Sequence, residues 1–248
     1  MDAFGLHCGM TLERATEIFV QAFAAGKSRT HPYLATRVND LWIMRDGPGK
    51  KRDPRKIEVV ACGLSPEEAI SRTQAQNLGW HFLCHLYGDA AEAAEIRAAY
   101  KQLGYRALGT EWMFTHDLLN VPVFDSEPPV RRVEDEAMWL SIRQQASQPR
   151  PFRPETRGYC IWDGDRDYGW VHSVPLDNDA WVSDLYVYAD SRGQGYGRAL
   201  MSRLLQDDRA VGVGASVLLA STAGACLYPH MGYRQIGELQ LFCPVVRA

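Results

Sequence analysis

Apolar positions in the first hundred residues switch between helical and strand spacing. Leu12, Ala15, Ile18, Phe19, Ala22 and Phe23 recur every three or four residues and form one stripe of a helix, with Thr11 as its N-cap and Gly26 at its end. Residues 33–44 alternate loosely, as a strand does, and the turn Asp46-Gly47-Pro48-Gly49 follows. Ile57-Glu58-Val59-Val60-Ala61 reads as a second strand. Between them, Lys50-Lys51-Arg52-Asp53-Pro54-Arg55-Lys56 has no interleaved aromatic residue and reads as a solvated hairpin tip rather than an anion-binding patch.

Ser65-Pro66-Glu67-Glu68 opens a second helix, with Ser65 as N-cap, Pro66 at the first helical position and two acids in the first turn. Residues 80–87 read as a strand and 89–100 as a helix. In the second half, residues 181–187 form an apolar strand and 198–205 a Leu-rich helix, with a loop of closely spaced glycines between them. Residues 216–220 read as a buried strand and 221–227 as a short helix of small residues.

The loop carries the chemistry. Glycine lets the backbone take φ > 0 and come close to a ligand, and a helix N-terminus offers N–H donors to an anion. Gly193-x-Gly195-x-Gly197 fits neither G-x-G-x-x-G nor the P-loop, which needs Lys-Ser/Thr after its glycines. Arg192-Gly193-Gln194-Gly195-Tyr196-Gly197 does fit Arg-x-x-Gly-x-Gly. With the strand before it and the helix after it, the segment resembles the pyrophosphate loop of the GNAT superfamily of acyl-CoA-dependent N-acyltransferases. Tyr228, Gly232 and Tyr233 match a second part of that pattern, and the resemblance is best over residues 158–242.

The resemblance implies an α/β (α+β) fold with a central mixed, mostly antiparallel sheet flanked by helices. It implies acetyl-CoA as co-substrate and an amine as acceptor. The strand edge Leu185, Tyr186 and Val187 would hold and polarise the thioester, and Arg192, Gly193, Gln194, Gly195, Tyr196, Gly197 and Arg198 would cradle the pyrophosphate. Tyr228 takes the place of the general acid. Asp184 is the first candidate for the base and His172 the second; each reads equally as a structural side chain. Many family members carry Asn seven residues before the tyrosine, on the pantetheine arm; this chain has Ser221 there. Acceptor recognition falls to the variable segments 148–157 and 175–180, where Arg150 and Arg153 are placed to face a carboxylate or simply lie in a stiff surface loop.

An internal echo extends the resemblance. Tyr100, Gly104, Tyr105, Arg106, Gly109 and Phe114 match Tyr228, Gly232, Tyr233, Arg234, Gly237 and Phe242 at one constant offset. This predicts two GNAT-like modules, residues 1–120 and 131–248, joined by the Pro-rich stretch 121–130. The alternative is one GNAT domain behind an unrelated N-terminal domain. In the first half the place of the phosphate loop is taken by Cys62-Gly63-Leu64-Ser65-Pro66-Glu67-Glu68, whose carboxylates would repel a pyrophosphate. That half is expected to keep the fold without the cofactor, and to complete the core, cover the acceptor site or hold a homodimer.

Composition narrows the partners. The chain has 46% hydrophobic and 23% charged residues, as an ordinary globular protein does. A net charge of -3 gives no electrostatic case for nucleic acid or anionic membrane as partner. No spanning apolar stretch or secretory leader is legible, and the six cysteines are widely spaced without C-x-x-C. Reduced thiols in a cytoplasmic protein are the expectation, and no metal site is expected. A GNAT fold that holds acyl-CoA as a sensor or scaffold without turnover is the competing function.

Overall fold

The structure, a computed structural model, describes residues 9–28, 31–49, 54–142, 153 and 155–245. The chain begins with α1 (Leu12–Lys27), where the Thr11 hydroxyl accepts from the Arg14 N–H at 3.2 Å, as its position before the apolar stripe predicts. The strand expected over 33–44 is instead a hairpin of β1 (Tyr33–Val38) and β2 (Leu41–Asp46). Asn39 and Asp40 turn it, both with positive φ, and these two residue types tolerate that conformation best after glycine.

Next come β3 (Ile57–Cys62), α2 (Pro66–Gln74), β4 (His81–Tyr87), α3 (Ala93–Gln102) and β5 (Tyr105–His116). The second half contains β6 (Val130–Val133), α4 (Glu136–Ile142), β7 (Arg157–Trp162), β8 (Asp167–Leu176) and β9 (Asp179–Val187). It ends with α5 (Tyr196–Ala210), β10 (Ala215–Ala220), α6 (Thr222–Ala225) and β11 (Arg234–Pro244).

The described strands form one sheet in the order β1-β2-β3-β4-β11-β5-β10-β9-β8-β7-β6. It is mixed and mostly antiparallel, as expected: only β3 with β4 and β9 with β10 run parallel. The last strand of each half lies beside the other half, since β11 sits between β4 and β5, and β5 between β11 and β10. The register of β5 and β11 is the same read from either strand. Glu111 faces Leu239, with Gly109 opposite Leu241 on one side and Met113 opposite Gly237 on the other. The two ladder irregularities skip Leu108 in β5 and Ile236 in β11. Gly104 and Gly232, which precede these strands, have φ of 84° and 86°.

Helices cover both faces. On one, Ala15, Ile18, Phe19 and Ala22 of α1 pack on Met113, Trp181 and Val217. On the other, Leu200, Leu204 and Leu205 of α5 pack on Val182, Leu218 and Tyr228. Each such fully buried aliphatic or aromatic side chain contributes about 1.5–3 kcal/mol, so the apolar spacing of α1 and α5 decides which way each helix faces.

Arg55 departs from the solvated tip expected of its basic run. Its guanidinium binds the Asp46 carboxylate and the carbonyl oxygens of Lys27, His31 and Pro32, and lies 4.6 Å over the Tyr33 ring. Residues 50–53 lie outside the described residues. Arg55 therefore ties the end of α1 to β2, a long-range role that a local charge run does not display.

Candidate active site

β9 and β10 pair only over Asp179–Trp181 and Ala215–Val217, and then separate. A ladder irregularity on β9 lies just beyond the separation. Trp170 faces Tyr186 and His172 faces Ser183, so Val171 alone spans Asp184 and Leu185, and Asp184 takes φ of 56°. Such a bulge bends the strand and re-aims its side chains and N–H groups. Gly169 permits it from behind, because a Cβ there would overlap the Tyr186 carbonyl and lie 3.2 Å from the Val187 Cα.

From Val187 a single 3₁₀ turn leads into the glycine loop, and the Arg192 Nε donates back to the Val187 carbonyl at 3.0 Å. Gly193 and Gly195 have φ of 78° and 85°, a conformation costing about 1–2 kcal/mol per residue with a side chain. Gly195 is the N-cap of α5, whose first turn holds neither a capping side chain nor an acid. The early N–H groups of this helix and its positive dipole end therefore face the loop. The Arg198 N–H differs from expectation: it donates to the Gly195 carbonyl at 3.0 Å, and its guanidinium lies over Phe124.

An open cleft of about 1190 Å³ runs from this loop through the gap between β9 and β10 to α1. Asp184, Leu185, Tyr186, Val187, Arg192, Gly193, Gly195, Tyr196, Gly197, Ser221 and Tyr228 of the expected site line it. Gln194 and Arg198 flank it without lining it, and His172 lines a smaller adjoining cavity of about 180 Å³ with Trp139 and Asp184. Arg153 lines that cavity too, while Arg150 lies outside the described residues.

Tyr228 opens a 3₁₀ turn and packs against Phe114 and Tyr233, with ring centroids 5.8 and 5.5 Å away. Burial pushes its phenol up to about 12, so it holds its proton at neutral pH. The Ser221 hydroxyl caps α6, accepting from the Gly224 N–H at 3.4 Å. His172 Nδ1 lies 3.7 Å from an Asp184 carboxylate oxygen, and the His172 ring packs edge-on to Trp139. The two base candidates are thus neighbours, a contact the bulge creates.

Every wall residue from the first half escaped the sequence reading, Phe23, Lys27, His31 and Arg55 included. Phe19 and Glu111 come from the first half, which supplies the roof and part of the floor of a cleft whose loop belongs to the second. Glu111 had one legible signal: the echo aligns it with Leu239, so an acid stands where the matching strand has an aliphatic residue. Among the described residues no cluster of His, Cys, Asp and Glu could hold a metal.

The corresponding region of the first half is closed. β3 and β4 pair continuously from Ile57–His81 to Cys62–Leu86. The N-terminus of α2 is occupied by its own capping box: the Ser65 hydroxyl accepts from the Glu68 N–H at 3.2 Å, and the Glu68 carboxylate accepts from the Ser65 N–H at 3.0 Å. These bonds hold the Glu68 carboxyl below its ordinary range.

Residues 154–235 match the acetyltransferase (GNAT) domain. A search of curated proteins by sequence gave no match. Among solved structures, the chain is similar to a GCN5-related N-acetyltransferase from Kribbella flavida, with 14% identity, 95% of this chain and 96% of that chain covered, and a TM-score of 0.65. It is also similar to a GCN5-related N-acetyltransferase from Sphaerobacter thermophilus, with 16% identity, 84% and 78% covered, and a TM-score of 0.54. A GCN5-related N-acetyltransferase-like protein from Streptococcus suis gives 12%, 93% and 96%, and 0.54. The family match is confined to residues 154–235, and the likenesses to solved structures show that the chain shares the fold of these proteins.

Proposed function

We propose that the protein transfers an acetyl group from acetyl-CoA to a primary amine of a small molecule or peptide, in one ternary complex. The observation that carries this reading is the gap between β9 and β10 opening directly onto the uncapped, glycine-built start of α5. The N–H groups from Gly193 to Gly197 suit a pyrophosphate. The bulged edge of β9 suits the thioester, where a backbone N–H is available to a developing oxyanion. Asp184, paired with His172, draws the acceptor ammonium to the side of the cleft facing α1 and α4. Tyr228, protonated and facing the cleft, supplies a proton to the departing thiolate. Holding both substrates in one cleft supplies much of the rate.

The two halves, 1–120 and 131–248 with 121–130 between, are in this reading descendants of one duplicated module. The matched register of β5 and β11 and the paired αL glycines Gly104 and Gly232 support that origin. The sealed β3–β4 ladder supports loss of the cofactor from the first half, leaving it to roof the second half's cleft. One observation favours the alternative of a non-catalytic acyl-CoA sensor: the Ser221 hydroxyl, at the pantetheine position, is engaged in capping α6. Acetyl-CoA consumption with a panel of primary amines separates the two. Amine-dependent release of CoA is expected, and tight acetyl-CoA binding with no release for any amine would leave the sensor.

A further inference from the structure

Glu111 projects from β5 into the cleft. Its neighbour Trp112 faces Ala220, so Glu111 stands beside the end of β10, at the mouth of the gap where Ser221 and Tyr228 also lie. Met113, on the same side of the strand, packs with Phe19 beneath α1. Glu111 is exposed to solvent where it lines the cleft, and its carboxylate makes no ion pair or hydrogen bond among the described residues. Of the basic groups in the same cleft, Lys27 pairs with Glu58 at 2.8 Å and Arg55 with Asp46, while Arg192 Nε donates to the Val187 carbonyl and His31 Nε2 lies 3.0 Å from the Gly47 carbonyl. Asp184 stands across the gap, paired with His172.

We infer that Glu111, contributed by the first half of the chain, takes the proton from the acceptor ammonium in the cleft of the second half. This rests on the acyl-transfer reading above and adds its base. Although the residue is exposed overall, the protein around its carboxyl end strips away part of the water and raises that carboxyl above its ordinary range, the direction a general base needs. A carboxylate without a partner in a cleft, perturbed by lost water, has the character of a functional acid or base.

The proton balance is complete. As the N–C bond forms and the C–S bond breaks, nitrogen gives up two protons. The first passes to the Glu111 carboxylate and leaves to solvent through the cleft mouth. The second ends on sulfur, because Tyr228 donates to the thiolate and is restored from nitrogen. The other titratable groups around this step are Lys27 and His31 from the α1 side, Arg55, Cys84 on β4, Asp184 with His172, and Tyr186, Arg192 and Tyr196 from β9 and the glycine loop.

The test compares wild type, Glu111→Gln, Glu111→Asp and Asp184→Asn. It measures kcat and KM over a primary-amine panel from about pH 6 to about pH 9, with acetyl-CoA affinity measured by calorimetry alongside. Glu111→Gln is expected to bind acetyl-CoA as wild type does, lose about 10²-fold or more in kcat, and lose the acidic limb of the pH profile. Glu111→Asp should recover part of the rate. An unchanged rate and limb in Glu111→Gln, or a limb lost in Asp184→Asn and kept in Glu111→Gln, overturns the assignment. A wild-type protein that binds no acetyl-CoA, or binds it and acetylates no amine, overturns the acyl-transfer reading itself and Glu111's role with it.

Discussion

Val217 stands opposite Trp181 in parallel register, and it is the last pair before β9 and β10 separate. The matching strands of the first half, β3 and β4, stay paired as far as Cys62 and Leu86. Two parallel ladders in one sheet thus have opposite fates. Where the ladder ends early, unpaired backbone and a cleft remain; where it continues, the backbone groups are spent on each other.

The loop at the mouth of the open ladder depends on backbone conformation. Gly195→Val places a β-branched side chain at φ of 85° in the cradle that would hold a pyrophosphate. Acetyl-CoA affinity should fall more than tenfold, while the conformational strain of about 1–2 kcal/mol leaves the protein folded. Calorimetry with acetyl-CoA beside circular dichroism checks both parts.

Tyr228→Phe removes the hydroxyl and keeps the ring against Phe114 and Tyr233. The expectation is a kcat loss of about 10²-fold or more with unchanged acetyl-CoA affinity. The phenol sits at about 12 because of burial, so it loses its proton only as pH rises toward that value. A fall in rate between pH 7 and pH 9 in wild type therefore belongs to another group and should persist in the variant. Stopped-flow pH profiles of both proteins test this.

How much of this was legible in the sequence follows from range. The glycine loop with its flanking strand and helix, the Ser65 N-cap and the turn at Tyr228 are local signals, and each forms at its own place in the chain. The hairpin at Asn39 and Asp40 was missed although its turn residues were present, because loose alternation across the turn resembles one strand. The path of β11 between β4 and β5 depends on pairing across the whole chain, which no window of residues encodes. Glu111 and Phe19 enter the cleft only through that pairing and through the docking of α1.

Acid stability should register the buried histidines. His85 packs inside the sheet with its Nδ1 2.8 Å from the Tyr100 hydroxyl, and burial lowers it from 6.5 to about 4. Below its ordinary pKa the unfolded chain binds a proton that the folded chain does not. The stability His85 contributes is full above about pH 6.5 and is lost as pH falls toward 4, a change of roughly 3 kcal/mol. His81 and His116 are lowered by the same cause. Urea midpoints should fall across this window, and His85→Gln should flatten the slope.

The most direct test of the account is the stoichiometry of acetyl-CoA binding to the intact chain by isothermal titration. One site per chain, abolished in Gly195→Val and indifferent to Ser65→Ala, is the predicted result: a cofactor seated between β9 and β10, and a first half sealed by its own ladder and cap. Two sites per chain, or a single site that survives Gly195→Val, would contradict it.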